Sequence, residues 1–430
     1  MTDAAAPTAP TPATAQTVAP PRHGTWLEVD AGRLRQNLAA LRREFAPARL
    51  CFVVKADAYG HGVSAVVPVA EDCGVRDFAV FSAHEAWHAL EASDGGSDIQ
   101  VMGHIEPENM EWVARRGLLP WINDETEWSA VRNAVAAVTD GEGLPLRVHV
   151  EVETGMHRTG LEPDAAVGVV CTAADLDEVE VVGLCTHLAG AEDSRNLDRV
   201  LAQLEVFRDV RQRIEDAGVH VPLLHVASSS AALVDAGYRL DMVRTGIAGY
   251  GLWPTPEVRQ RYRPRDPERP LRLRRALSWK TRVMAVKHVP EGAFVGYGQA
   301  YATPRDTTIA ILPVGYGDGF TRGLSNAGQV LVHGRRCPIV GQVNMNMVQV
   351  DVGHVPATRP GDEVVLIGQQ GDLELGVHSF AEAQEVINYE LMTRLSRDIP
   401  RHVIDPEGED LTYIRGLDQE VEEPAGATTG

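Results

Sequence analysis

Lysine is nearly missing from this 430-residue chain: Lys55, Lys280 and Lys287 are the only three among 40 basic residues, and the rest are arginine. Lys55 therefore needs a reason. Cysteine is scarce and odd in number (Cys51, Cys73, Cys171, Cys185, Cys337), with no CxxC pair. That argues against a disulfide framework or a zinc site, and predicts buried free thiols in a reducing, cytoplasmic compartment. No apolar run is long enough to span a bilayer, so no membrane association is expected. Residues 1–22, "MTDAAAPTAPTPATAQTVAPPR", lack a basic start and a continuous apolar core, and read as a flexible tail and not a secretion signal. Positive charge is outweighed as well: a formal net charge of −20 repels phosphates, which excludes nucleic acid and anionic membranes as partners.

What is present is globular. At 430 residues, 44% of them hydrophobic, the chain can bury more than one core, and two domains are expected. "TWLEVD" reads as a strand; after Asp30 as N-cap, Ala31, Leu34, Leu38, Leu41 and Phe45 fall at helical spacing. From residue 51, eight apolar runs alternate with helix-like segments: "CFVVKA", "DFAVFSA", "IQVMGHI", "LLPWIND", "LRVHVEVET", "VVGLCTHLA", "LLHVASS" and "MVRTGIAGYG". One intervening segment carries Leu197, Val200, Leu201, Leu204, Phe207 and Val210 on one side, with Gly218 as its stop. This rhythm is that of an α/β fold, a (β/α)8 TIM-like barrel. A doubly wound sheet stays open, although its Gly-x-Gly-x-x-Gly fingerprint is missing. After Pro254 an Arg/Pro-rich stretch leads into strands that follow strands, a mostly β C-terminal domain closed by a helix-like "SFAEAQEVINYELMTRLS". The expected division is a tail over 1–23, the barrel over 24–260, the β domain over 261–404 and an acidic tail over 405–430.

In a parallel barrel, chemistry collects at the C-terminal ends of the strands. Those positions hold Lys55 and Tyr59 after the first run, Arg158 after the fifth, His187 after the sixth, Ser228 to Ser230 after the seventh, and Arg244 with Gly246 at the eighth. The Ser229 hydroxyl and the backbone N–H groups of Gly246 and Ile247 could hold a phosphate dianion. Lys55 is then free to condense with an aldehyde cofactor carrying that phosphate, which points to pyridoxal phosphate. Taken singly, each residue has a plainer reading as a salt-bridged lysine, a helix-capping serine or a core histidine. Together, at successive strand ends, they point to one pocket.

"VVKADAYGHG" resembles the pyridoxal-phosphate signature of the alanine racemase family, among the fold-type III pyridoxal enzymes. The resemblance continues in order through "VEVETGMHRTG", "GLCTHLAGAED", "LLHVASSSAAL", "DMVRTGIAGYG", "GYGQAYATP", "ILPVGYGDGF", "GQVNMNMVQVDV" and "NYELMTRLSRDIPR", over residues 24 to 404. It implies a homodimeric isomerase that interconverts L- and D-alanine, supplying D-alanine for peptidoglycan. Lys55 would hold the cofactor covalently and act as one base; Tyr297, reaching in from the other subunit, would be the opposing base. Arg244 would contact the pyridine nitrogen, with His187 linking it to the tyrosine. Tyr59, Ser229, Gly246, Ile247 and Tyr389 would hold the phosphate. Arg158 and Met345 would orient the substrate carboxylate, and Tyr316 would line the approach. No metal is implied.

Two departures stand out. Most of the family has a lysine, often carbamylated, two residues before the acid of "ETGMHR"; here Glu151 supplies a carboxylate directly and is expected to pair with or orient Arg158. "NMN" and "MHR" replace the more common residues, so Asn344, Asn346 and His157 leave a serine or broad-specificity racemase open as an alternative. A non-catalytic pyridoxal-phosphate carrier would share the lysine motif but not the second domain. A decarboxylase of the same fold type should use an acid and a cysteine where Arg244 and Tyr297 stand.

Overall fold

A computed structural model describes residues 23–138, 145–377 and 387–406. Most of the two expected tails (1–22 and 407–430), and residues 379–386 of the expected last helix, lie outside the described residues. Asn388–Thr393 is the described helix of that segment.

The chain enters through β1 (Thr25–Asp30), whose last residue caps the helix Ala31–Phe45: the Asp30 carboxylate accepts the Arg33 N–H at 2.9 Å. The apolar stripe of that helix is buried, with Ala31, Leu34, Leu38, Leu41 and Phe45 at 0–1% exposure. Each leucine and the phenylalanine among them contributes about 1.5–3 kcal/mol on leaving water.

All eight apolar runs are strands: β2 (Arg49–Val53), β3 (Asp77–Val80), β4 (Asp98–Val101), β5 (Leu119–Ile122), β6 (Leu146–Glu151), β7 (Val179–Cys185), β8 (Leu223–His225) and β9 (Met242–Thr245). They pair in parallel in the order β8-β7-β6-β5-β4-β3-β2-β9. The β8/β9 seam closes through Asp241 N–H to Leu224 O and Arg244 N–H to Ala227 O, both 3.0 Å. A nearly closed (β/α)8 barrel results, and the open doubly wound sheet is excluded.

The second unit holds β10 (Leu277–Arg282), β11 (Ala285–Val289), β12 (Thr307–Leu312), β13 (Gln329–Val332), β14 (Arg335–Pro338), β15 (Val348–Asp351), β16 (Glu363–Gln370), β17 (Leu373–Leu375) and β18 (Arg401–Ile404). "LSWKTRVMAVKHV" is two strands in two sheets. Val283 N–H goes to Asp362 O (2.9 Å) and Met284 N–H to Ile311 O (2.8 Å), so the chain changes sheets between them. The larger sheet runs β14-β13-β16-β10-β1-β18, with β17 on β16, and β11-β12-β15 forms the smaller. β1 therefore belongs here, antiparallel to β10 and parallel to β18, although the sequence reading grouped 24–260 with the barrel. Trp279 is fully buried beneath these strands, its indole N–H donating to Thr25 Oγ1 at 2.8 Å.

The helix Leu197–Asp216 also differs from expectation. Its core face is Val200, Gln203, Leu204, Phe207, Val210 and Ile214, while Leu197 and Leu201 are exposed. Gln203 is tolerated inside because its amide bonds both backbone groups of Ala189, at 2.9 and 3.1 Å. The cysteines are all free and, Cys171 apart, buried. Among the described residues no helix is long and apolar enough to cross a membrane.

Candidate active site

At the C-terminal end of the barrel lies a cavity of about 920 Å³. Its walls include Lys55, Tyr59, Arg158, His187, Ser229, Arg244, Gly246 and Ile247, the strand-end residues singled out from the sequence, together with Tyr389, expected from the last helix. Glu151, Phe81, Met102 and Trp121 line it as well.

Lys55 leaves β2 on an unusual turn. Ala56, Asp57, Ala58 and Tyr59 all have φ between +52° and +54°, the left-handed region, before Gly60 (+78°) and Gly62 (+90°). Non-glycine residues cost roughly 1–2 kcal/mol each there, so the turn must be held from outside. His61 is one of its supports. Buried and stacked 4.4 Å from Tyr250, its Nδ1 lies 3.1 Å from Ala58 O and 3.0 Å from Tyr59 O. Gly60 packs so closely on Met392 O of the last helix that a Cβ would collide with it. Burial, then Arg158, lowers the Lys55 pKa from its ordinary value; Glu85 opposes this and Arg244 adds to it.

One end of the wall is made by Ser229, whose hydroxyl accepts the Gly246 N–H at 3.1 Å, and by Tyr59 and Tyr389, their rings 6.1 Å apart. Gly246 has to be glycine: a Cβ would strike the Tyr59 hydroxyl.

Arg244 lies across the cavity floor, 4% exposed and with its guanidinium 5.3 Å from the Trp121 ring. Nη1 donates to His225 Nδ1 (2.6 Å) and His225 O (2.9 Å), and Nη2 donates to Thr186 O (2.7 Å) and Val226 O (3.3 Å). These bonds engage the terminal nitrogens, while the Nε–H takes no part in them. A guanidinium can only donate, so His225 accepts at Nδ1 and carries its proton on Nε2, which donates to His149 Nδ1 at 2.9 Å. The imidazole bonded to Arg244 is thus His225 and not His187, because β8 and β9 meet at the barrel seam. His187 stands in the cavity wall, its pKa lowered to about 3 by burial, then by Arg244, Arg158 and Lys55. His225 and His149 lie within β8 and β6, so position beyond a strand end does not pick them out. Period-two alternation inside β6, which puts His149 on the same side as Glu151, is the signal that could have found them.

Arg158 is set by Glu153, whose carboxylate accepts the N–H groups of Gly155, Met156 (2.7 Å), His157 (2.8 Å) and Arg158 itself (3.3 Å). His157 has φ +57° at the position where the resemblance expects glycine. It is exposed, and neither it nor Asn344 or Asn346 lines the cavity. Glu151 is 3% exposed and faces the cavity, with one carboxylate oxygen unpartnered. The ion pair expected between Glu151 and Arg158 is not formed. Burial raises the Glu151 pKa above the ordinary carboxylate value.

Tyr297, Tyr316 and Met345 lie apart from the cavity, on the second unit, at 71%, 43% and 56% exposure. Their loops form one surface. Tyr316 N–H bonds Asn344 O at 3.0 Å, and the Asn326 side chain ties Ala300 O (3.0 Å) to the Gly341 N–H (2.7 Å).

Buried histidines make the fold acid-sensitive. Burial holds His61 at about 4 and His149 and His187 at about 3, and keeps His225 well below its usual value, against about 6.5 when unfolded. Depressed folded values mean stability present above pH 6.5 and lost as pH falls towards 4, each group adding a slope of up to about 1.4 kcal/mol per pH unit. Burial raises Asp77, Glu127 and Glu151, which act in the opposite direction. The denaturant midpoint of the cofactor-free protein should fall steeply between pH 6.5 and 4.5; a flat profile would contradict the buried neutral histidines.

Comparison with known proteins agrees with this geometry. Residues 29–254 match the family model "Alanine racemase, N-terminal domain" and residues 276–403 match "Alanine racemase, C-terminal domain". The alanine racemase of Halothermothrix orenii is 38% identical over 379 residues, covering 88% of this chain and 96% of its own. The crystal structure of alanine racemase from D-cycloserine-producing Streptomyces lavendulae superposes with a TM-score of 0.81 at 29% identity, covering 91% and 99% of the two chains. That of Bartonella henselae, with covalently bound pyridoxal phosphate, gives 0.73 at 25% identity, covering 89% and 100%. With both halves matched and Lys55, Arg244, Ser229 and Tyr389 gathered in one cavity, the chain belongs to the alanine racemase family.

Proposed function

We propose that this chain interconverts L- and D-alanine with pyridoxal phosphate by a two-base mechanism, as a cytoplasmic homodimer with shared sites that supplies D-alanine for the cell wall. The observation that carries the reading is the pairing of Lys55 inside the cavity with Tyr297 exposed on the other unit of the same chain. A tyrosine turned outwards can complete a neighbour's site.

The cavity fits the cofactor at three points. Ser229, Gly246, Tyr59 and Tyr389 would hold the phosphate, with room kept by the missing Cβ of Gly246. The Arg244 Nε–H would meet the pyridine nitrogen, and Lys55 Nζ would hold the aldehyde carbon. Bound in this way, pyridoxal phosphate supplies an electron sink that acidifies the substrate's Cα–H. Lys55 Nζ moves the proton on one face, and the Tyr297 oxygen of a second copy moves it on the other. Arg244 cannot release a proton, so it leaves the pyridine nitrogen unprotonated and keeps the sink weak, which disfavours side reactions. Arg158, aimed by Glu153, would bind the substrate carboxylate with the help of Met345 from the second copy, and Tyr316 would narrow the approach. Glu151, buried in the same wall as Arg158, adds a carboxylate to that side of the cavity.

The test is the loss of optical rotation with L-alanine, L-serine and L-lysine as substrates. Alanine should racemise fastest; serine turning over equally well would favour the broader-specificity reading, and no turnover of any would overturn the proposal. In the same assay Glu151→Gln should raise KM for L-alanine several-fold while kcat changes little, the pattern of lost uniform binding.

A further inference from the structure

The sequence "SAHE" at 82–85 has the form of a helix capping box, in which the glutamate three residues into the helix bonds the backbone of the capping serine. Half of that pattern is kept: Ser82 Oγ accepts the Glu85 N–H at 3.3 Å. The Glu85 carboxylate goes elsewhere. Its Oε1 accepts the Ala56 N–H at 2.8 Å and its Oε2 accepts the Phe81 N–H at 2.7 Å.

Both partners adjoin the reacting lysine. Ala56 follows Lys55 directly and begins the left-handed run that ends at Tyr59. Phe81 carries the ring that lies 5.9 Å from Lys55 Nζ. The other supports of the turn act further along: Asp57 Oδ1 accepts the Val63 N–H at 2.8 Å, and Arg401 donates to Gly60 O at 3.1 Å. Glu85 also lines a second cavity of about 270 Å³ behind the turn, with Asp57, His88, Glu91 and Arg397. The groups facing Lys55 from the active-site side are Arg158, Arg244 and His187.

We propose that Glu85 is a positioning residue for Lys55: one carboxylate fixes the start of the left-handed turn and the Phe81 wall, and its charge offsets the two arginines that face the amine. This rests on the reading of Lys55 as the cofactor-bearing base. The charge effect has the expected sign, since Lys55 is lowered by burial and Arg158 while Glu85 raises it. Nothing is asked of Glu85 at the substrate itself.

The experiment acylates the amines of the cofactor-free, full-length protein with acetic anhydride from pH 6 to 10. Modification of Lys55 is read by peptide mass spectrometry against Lys287, which is exposed on β11. Glu85→Gln keeps the size of the side chain and removes its charge. The midpoint for Lys55 should move to lower pH in this variant while the labelling of Lys287 is unchanged, and kcat of the reloaded enzyme should fall about tenfold, a fraction of the roughly 10²–10⁴ that a positioned base contributes. An unchanged Lys55 midpoint overturns the proposal, even with reduced thermal stability, because a merely structural glutamate would lower stability alone. Should Glu85→Gln not fold, Glu85→Asp keeps the charge on a shorter arm: the Lys55 rate should then change relative to Lys287, and an unchanged ratio overturns the proposal. Lys55 labelling needs no turnover, so an absence of racemase activity in the unmutated protein would sink the functional reading without touching this result.

Discussion

Lys55→Ala should reduce racemisation by at least about 10⁴-fold and remove the absorbance of protein-bound pyridoxal, while leaving the far-ultraviolet circular dichroism unchanged. Two losses combine. A positioned general base is worth about 10²–10⁴ in rate. The same amine is the covalent anchor that the cavity offers to an aldehyde, with its pKa lowered by burial and by Arg158. Lys280 cannot substitute: it lies on β10, 2.9 Å from Glu28 and 3.4 Å from Glu363, and Lys287 is on β11. Retention of both the absorbance and the activity in Lys55→Ala would end the account of the site.

Tyr297→Phe should behave differently. Loss of one hydroxyl should lower kcat by about 10²–10⁴ while cofactor affinity and absorbance stay as they were, because Tyr297 lies outside the cavity that would hold the cofactor. Stability should change by less than about 0.5 kcal/mol, since the side chain is 71% exposed. The defect should also be one-sided. Exchange of the Cα hydrogen with solvent deuterium should be impaired far more from one enantiomer of alanine than from the other, because Lys55 still serves its own face. Equal loss of cofactor affinity and of exchange would make Tyr297 a structural residue.

Local signals carried the barrel. Asp30 and the stripe from Ala31 to Phe45 mark a capped helix because capping and burial act within a few residues, and each barrel strand is a short apolar run because it is covered on both faces. Pairings between distant segments were not legible. β1 joins β18 from the other end of the chain, and nothing in "TWLEVD" announces that. Leu197 and Leu201 fit the helical period as well as their buried neighbours do, and only the position of the barrel decides which side faces inwards.

The site divided in the same way. Lys55, Arg158, His187 and Arg244 stood out because strand ends are where a barrel places its chemistry. The residues behind them did not. His225 and His149 lie within the strands, and Glu85 resembles an ordinary capping residue. Four left-handed residues without a glycine among them, Ala56 to Tyr59, give no local warning, since their conformation is imposed by contacts from elsewhere.

Complementation tests most directly whether Lys55 of one copy and Tyr297 of another make one site. Lys55→Ala and Tyr297→Phe proteins, each inactive alone, are mixed in equal amounts, dissociated and allowed to reassociate. Random pairing makes half of the dimers mixed, and each mixed dimer holds one site with both bases intact, so activity should recover to about a quarter of that of the unmutated protein. Activity that stays at the level of the two parents would show that the bases are not shared between subunits.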